Sequence, residues 1–155
     1  MIIRTVLVTC IVCIAGISLA EQPAKKVIEW GWDEPDTKFI RENIGTMEQH
    51  SFDGLIFHVN SSKGGNFTWE MWGGRKYDLG EFQHATENLK ATNFQRFTDR
   101  FLRVNVTPGT TEWFDDEAWK VVLNNFGVAA QVAKQGGCKG FMFDVEQYNK
   151  RTQTP

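Results

Sequence analysis

Cysteine is scarce and badly placed for bracing a fold. Of the three in the chain, Cys10 and Cys13 precede Ala20 in a segment read below as removable, which leaves Cys138 alone and no intramolecular disulfide. Cys138 follows Gly136 and Gly137 and leads into an apolar run, so it reads as small buried filler rather than a nucleophile. No run of Lys or Arg occurs, and the formal net charge is -2, which argues against nucleic acid or an anionic membrane surface as partner. The three histidines form no HxH or HExxH pair, so no metal-ligand motif stands out. Nor is there an apolar run of the roughly 20 residues that a membrane-spanning helix needs.

The longest such run, Val6 to Ile17, follows Arg4 and leads to the small residues Ser18 and Ala20. A cation, a short apolar core and a small-residue site make a secretory signal peptide over residues 1–20, cleaved near Ala20. Neither Cys10 nor Cys13 follows the small residue a lipidation site wants. The expected mature chain begins near Glu21, is secreted or periplasmic, and makes no stable membrane insertion after cleavage.

Beyond the signal, four strand-like runs alternate with three helix-like ones. The strands are KVIEWGW (Lys26 to Trp32), GLIFHVN (Gly54 to Asn60), RFLRVNV (Arg100 to Val106) and GFMFDVE (Gly140 to Glu146). The first helix is capped by Asp36 and carries Phe39, Ile40, Ile44 and Met47 at helical spacing. The second places Phe82, Ala85, Leu89 and Phe94 less regularly. The third starts with Asp115, Asp116 and Glu117 and stops at Gly136 and Gly137. Strands joined through helices make a parallel sheet with right-handed crossovers.

Residues two apart share a side of a strand. The alternation assigns Glu29, Gly31 and Asp33, then Ile56, His58 and Asn60, then Arg103, Asn105 and Thr107, then Met142, Asp144 and Glu146 to one side. The other side is apolar, with Trp30 and Trp32 read as core beside Leu55, Phe57, Val59, Leu102, Val104, Phe141 and Phe143. A doubly wound sheet is apolar on both faces, whereas a (β/α)8 barrel of roughly 250 residues covers one face with helices and holds functional groups in its lumen. Residues 21–155 are therefore read as α/β, the N-terminal half of a TIM-barrel-like (β/α)8 domain. Four βα units make a parallel half-barrel, truncated after the fourth strand and so a fragment of a longer chain. A small complete α/β domain with an irregular polar face is the other reading.

Asp144 and Glu146 end the fourth strand at the expected rim, where a shielded carboxyl flanked by a second one is raised toward general-acid range. Glycoside hydrolysis asks for such a pair. The bland reading is an acid pair that salt-bridges Arg103 or Lys139, and for Arg103 a pairing with Glu29 is expected. The stretch GFMFDVEQY resembles the fourth-strand signature of chitinase-like family 18 glycosidases, matched here by Gly140, Asp144 and Glu146, with Met142 where that family carries a further Asp. The resemblance implies Glu146 as general acid and Asp144 as the group that orients a substrate.

The long connection NSSKGGNFTWEMWGGRKYDLG carries Phe67, Trp69, Trp72 and Tyr77 among glycines, and loops of this length are uncommon without a role. Trp69 and Trp72 suit stacking against pyranose rings; alternatively the loop's aromatics lid the sheet. His58 and Asn60, Asn105, Asp33 at the first rim and Tyr148 complete the expected substrate-binding set. His50 and His84 are expected to be solvated. No metal and no cofactor is expected. The function that follows is an exported glycoside hydrolase-like protein acting on a polysaccharide, with a carbohydrate as ligand. The alternatives are a non-catalytic carbohydrate-binding barrel, or a metal-dependent isomerase or hydrolase using Glu146, Asp144 and His58.

Overall fold

The computed structural model describes residues 25–105 and 111–144. The signal segment, Thr107, Glu146 and Tyr148 lie outside the described residues. Four strands, β1 (Ile28–Glu29), β2 (Gly54–Phe57), β3 (Asp99–Asn105) and β4 (Gly140–Asp144), form one all-parallel sheet in the order β1-β2-β3-β4. Between them run α1 (Thr37–Met47), then a one-turn α2 (Phe67–Glu70), a 3-10 turn (Leu79–Phe82) and α3 (Gln83–Ala91), then α4 (Asp116–Gln135). The chain is thus an α/β repeat of parallel strands alternating with helices.

The helix ends follow from local chemistry. Asp36 accepts a hydrogen bond from the Phe39 backbone N at 2.8 Å, and Asp115 accepts from Glu117 and Ala118 at the start of α4, so each cap satisfies donors that have no intrahelical partner. The helix α4 closes at Gly136, with Gly137 at φ 70°, a conformation that L side chains rarely adopt. Glycine is demanded at a second point by sterics alone. A Cβ on Gly54 would stand 1.6 Å from the Asp99 carbonyl oxygen where β2 meets β3.

Register fixes what each face presents. Leu102 pairs with Phe57 and Phe141, and Val104 with Phe143. Residues paired across parallel strands share a face, and this face carries the core. Leu55, Phe57, Val59, Leu102 and Val104 pack against Ile40 of α1, Ala85 and Leu89 of α3, and Val128, Ala129 and Val132 of α4. The opposite face carries Ile56, Phe101, Arg103, Asn105, Met142 and Asp144. For β2, β3 and β4 this is the alternation read from the sequence.

In β1 the alternation is inverted. Glu29 pairs with Leu55 and therefore faces the helices, while Ile28 pairs with Gly54 on the other face. The strand ends after two residues and a turn begins at Trp32 and Asp33, so the seven-letter alternation KVIEWGW never becomes a seven-residue strand. A slip of one residue moves every side chain to the other face. Trp30 and Trp32 are consequently not core: they are 53% and 86% exposed. Glu29 takes the inward place, where one carboxyl oxygen is buried without a hydrogen-bond partner, and burial followed by the charge of Asp33 pushes its pKa up.

The long connection after β2 is more ordered than the sequence suggested. Gly64 and Gly65, both at φ 92°, turn the chain, and Asn66 caps α2. A buried carboxylate then gathers the loop: Glu81 accepts from the Ser61 hydroxyl at 2.5 Å and from Arg75 at 2.8 Å, with Lys63 at 3.4 Å. The same loop is stapled to α4 by Asn125. Its side-chain amide donates to the carbonyls of Met71 and Arg75 at 2.8 and 2.9 Å and accepts from the Tyr77 backbone N at 3.1 Å. Asn125 is fully buried, so truncation orphans three backbone groups that water cannot reach. Asn125→Ala is expected to lower unfolding free energy by about 2–4 kcal/mol, read as a drop in the urea midpoint with an unchanged slope.

Candidate functional site

The polar face of the sheet opens on a cavity of about 490 Å³ at the C-terminal ends of the strands. Its walls are aromatic: Trp30 and Trp32 from the segment after β1, and Trp69 from α2. Its polar members are Glu34, His58, Asn66, Arg103 and Asp144.

At its base stands Arg103 of β3, with a carboxylate on either side. Arg103 Nη1 donates to Asp144 Oδ2 at 3.2 Å. Its Nε lies 2.5 Å from Glu34 Oε1, at an angle that makes the contact an ion pair rather than an aligned hydrogen bond. All three side chains are buried, and the guanidinium also sits 5.0 Å from the centre of the Trp69 ring, a cation–π contact. Two carboxylates and one guanidinium leave the ionised cluster one negative charge in excess. Taking that charge out of water is costly, and binding one proton removes it. The Glu34 carboxyl is accordingly pushed from the ordinary glutamate value near 4.5 to about 7, burial being the largest cause; the Arg103 charge opposes it and the Asp144 charge adds to it.

His58 fixes the loop that carries Glu34. Its Nδ1 lies 3.0 Å from the Glu34 carbonyl oxygen, which only accepts, so Nδ1 bears the proton. Nε2 then accepts from the Asn60 amide at 3.2 Å. With both ring nitrogens committed, the imidazole is neutral, and burial lowers its pKa. The His58 backbone N also donates to the Pro35 carbonyl at 3.1 Å, and Asp36 pairs with His58 as a parallel bridge. The segment Glu34-Pro35-Asp36 is thereby laced to the end of β2, with Pro35 restricting its backbone.

The expected site residues divide. His58, Trp69 and Asp144 line the cavity. Asn105, buried on β3, pairs in register with Asp144. Asn60 reaches the site through His58 but lines a different cavity of about 510 Å³ between α1 and α3. That cavity is bordered by exposed charges, and Lys38 and Glu42 there stand 3.9 Å from each other. Asp33 turns away and lines, with Glu29, Phe39 and Phe52, a third cavity against α1. Trp72 is also removed from the site: its ring packs edge-on against Trp119 and Phe126 of α4, with its indole N buried and unpartnered. Arg103 pairs with Glu34 and Asp144 instead of Glu29. Glu146 and Tyr148 fall outside the described residues.

Trp30 and Trp32, expected in the core, are the participants that sequence reasoning missed, whereas Glu34 is expected at the first rim beside Asp33, with a functional role and a helix-preceding role equally open. The signal for them was present in WGWDEPD, where two indoles and two acids crowd a short segment ending in Pro35. Among the described residues, no group of three or more His, Cys, Asp or Glu could hold a metal ion. Comparison with protein families, curated proteins and solved structures finds no match for this chain.

The sign of Glu34's contribution to stability follows from its raised value. Between about 4.5 and about 7 the folded chain holds a proton that the unfolded chain has released, so unfolding free energy falls as pH rises through that window. His58, with a lowered value, acts in the opposite sense. Comparison of wild type with Glu34→Gln cancels the histidine. The wild type is expected to lose stability relative to Glu34→Gln from pH 4.5 to 7 and to run parallel to it above pH 8, measured by chemical denaturation across pH.

Proposed function

We propose that this chain is an exported, glycoside-hydrolase-like protein whose cavity receives a carbohydrate, on a sheet that forms part of a TIM-barrel-like (β/α) repeat. One observation carries the reading: Trp30, Trp32 and Trp69 line one cavity with two buried carboxyl groups that share a single arginine. Flat indole faces suit the apolar faces of pyranose rings, and they stack with little loss of side-chain freedom. The hydroxyl-bearing edges of a sugar need donors and acceptors beside them, and Asn66, Asp144 and Glu34 line the same cavity as the indoles.

Position supports the same reading. In α/β folds with parallel strands, ligands bind beyond the carboxyl ends of the strands. Here Asp144 ends β4 as described, and Glu34, His58 and Trp69 all follow strands rather than precede them. The chemistry supported is carboxylate general acid and base catalysis on a polysaccharide, with Asp144 in the cavity. Export rests on the N-terminal segment, Arg4 followed by an apolar core and Ala20, which directs the mature chain to polysaccharides outside the cell.

Trp30 is 53% and Trp69 40% exposed, so replacing either leaves the core intact. Trp30→Ala and Trp69→Ala are each expected to weaken oligosaccharide binding roughly tenfold or more, the usual loss for an aromatic anchor. Trp113→Ala, at an indole outside the cavity, should leave binding unchanged. Calorimetry with a panel of neutral soluble oligosaccharides checks this. Absence of binding by the wild type to every member removes the reading.

A further inference from the structure

We propose that Glu34 is the proton donor of this site, a carboxylic acid that protonates the leaving oxygen of a glycosidic bond in an uncharged polysaccharide laid across Trp30 and Trp69. The inference rests on the carbohydrate reading above and goes beyond it, because both the sequence and its family resemblance placed the acid on the fourth strand.

Glu34 is anchored through its own backbone, its carbonyl oxygen on His58 Nδ1 and the next carbonyl, that of Pro35, on the His58 backbone N. Its side chain is held against Arg103. A group held at both ends keeps its position when its protonation changes, which is what a donor that must recover its proton in each cycle requires. Glu34 also shares the cavity with all three indoles, so a sugar stacked there lies beside its carboxyl.

Charge then selects the proton's place. The ionisable groups of the cavity that face Glu34 are Arg103 from β3 and Asp144 from β4; Glu29 of β1, on the other face of the sheet, adds only the smallest charge effect, and His58 after β2 meets the Glu34 backbone in the neutral form. One guanidinium between the two carboxyls that contact it, Glu34 and Asp144, leaves the cluster a proton short of neutrality. Asp144 holds Arg103 through an aligned hydrogen bond, while Glu34, buried and with a contact to Arg103 that is not aligned, takes the proton. The same count sets the substrate class. A uronate or sulfated sugar would bring further negative charge to a cluster already short of a cation, whereas a neutral glycan brings none.

The step balances with water as co-reactant. Glu34 gives its proton to the glycosidic oxygen as the C1–O bond breaks, and the bonding pair stays on that oxygen, which leaves as an alcohol. The charge that develops at C1 is stabilised by Asp144. Water adds its oxygen to C1, and the proton it loses returns to the Glu34 carboxylate.

The test uses the full chain, purified as wild type, Glu34→Gln, Glu146→Gln and Arg103→Lys, assayed on neutral glucan, mannan and chitin-type oligosaccharides and on a uronate oligomer. Binding is measured beside turnover for each, and circular dichroism confirms folding. Glu34→Gln is expected to bind the neutral sugar within about threefold of wild type while losing roughly 100-fold or more of kcat, the usual share of a general acid. Wild-type kcat/KM should fall as pH rises through neutrality, and the residual activity of Glu34→Gln should lack that limb. Arg103→Lys should fold and shift the limb. A Glu34→Gln variant that turns over within threefold of wild type, or that keeps the limb, overturns the assignment while the carbohydrate reading stands. Loss of the limb in Glu146→Gln alone, or preference for the uronate, also overturns it. A wild type that binds sugar and never cleaves it overturns the donor role only, whereas a wild type that binds no sugar removes both.

Discussion

A single guanidinium shared by two acids determines how this molecule is put together on its polar face. Arg103 lies on β3, Glu34 follows β1, and Asp144 ends β4. Asp144 and Arg103 lie on paired strands, but the Glu34–Arg103 contact ties the segment after β1 to β3, and those two strands are separated by β2 in the sheet. Buried ion pairs add little net stability compared with apolar residues of the same volume, since desolvation offsets most of their attraction. Their consequence here is geometric: the segment after β1 is brought over the sheet, and Trp30 and Trp32 come with it to form one wall of the cavity. Trp69 reaches the same arginine from α2 and forms another.

The other irregular segments obey the same rule, in which a polar side chain takes the place of regular structure. Asn125 satisfies three backbone groups of the loop that precedes α3. Glu48, at the end of α1, accepts from the backbone N of Gln95, Arg96 and Phe97 at 2.9 to 3.1 Å and so positions the entry to β3. Glu81 draws Ser61, Lys63 and Arg75 together. Each of these loops carries backbone donors and acceptors that regular structure does not pair, and a polar side chain serves them at each point, buried for Asn125 and Glu81 and partly exposed for Glu48. The loop's apolar part is equally settled: Phe67, Tyr77 and Phe82 are fully buried and their rings meet at 4.4 to 6.0 Å. Trp69 is thereby left on the cavity side, while Trp72 turns under α4.

What the sequence made legible were features repeated over several residues. The alternation in GLIFHVN, RFLRVN and GFMFD holds because each strand is long enough for the period of two to be forced by a buried face. The caps at Asp36 and Asp115 were legible because capping is local. β1 was not, because a two-residue strand has no period, and tryptophan fits either side of it: its ring is apolar enough for a core and polar enough at the indole N for a rim. Asp33 and Glu34 were inseparable for a similar reason, since adjacent residues leaving a turn point in different directions and nothing local says which. The role of Asn125 had no sequence signal at all. On α4 it looks like any other polar residue, and its partners are 48 to 54 positions away.

The same comparison bears on why the polar cluster exists. An apolar trio in place of Glu34, Arg103 and Asp144 would join the same three segments without leaving a charge to be neutralised, and Ile56, Phe101 and Met142 on the same face show that the surroundings accept apolar side chains. Packing alone therefore does not call for the ionic version. Nor does it call for Trp32, which is 86% exposed beside that cluster, where a smaller or more polar residue would be better solvated. Two neighbouring departures from the most stable choice, one buried and one exposed, coincide at a single concavity. A site that binds and protonates a ligand requires both departures, an uncompensated acid and an unburied ring, at one place.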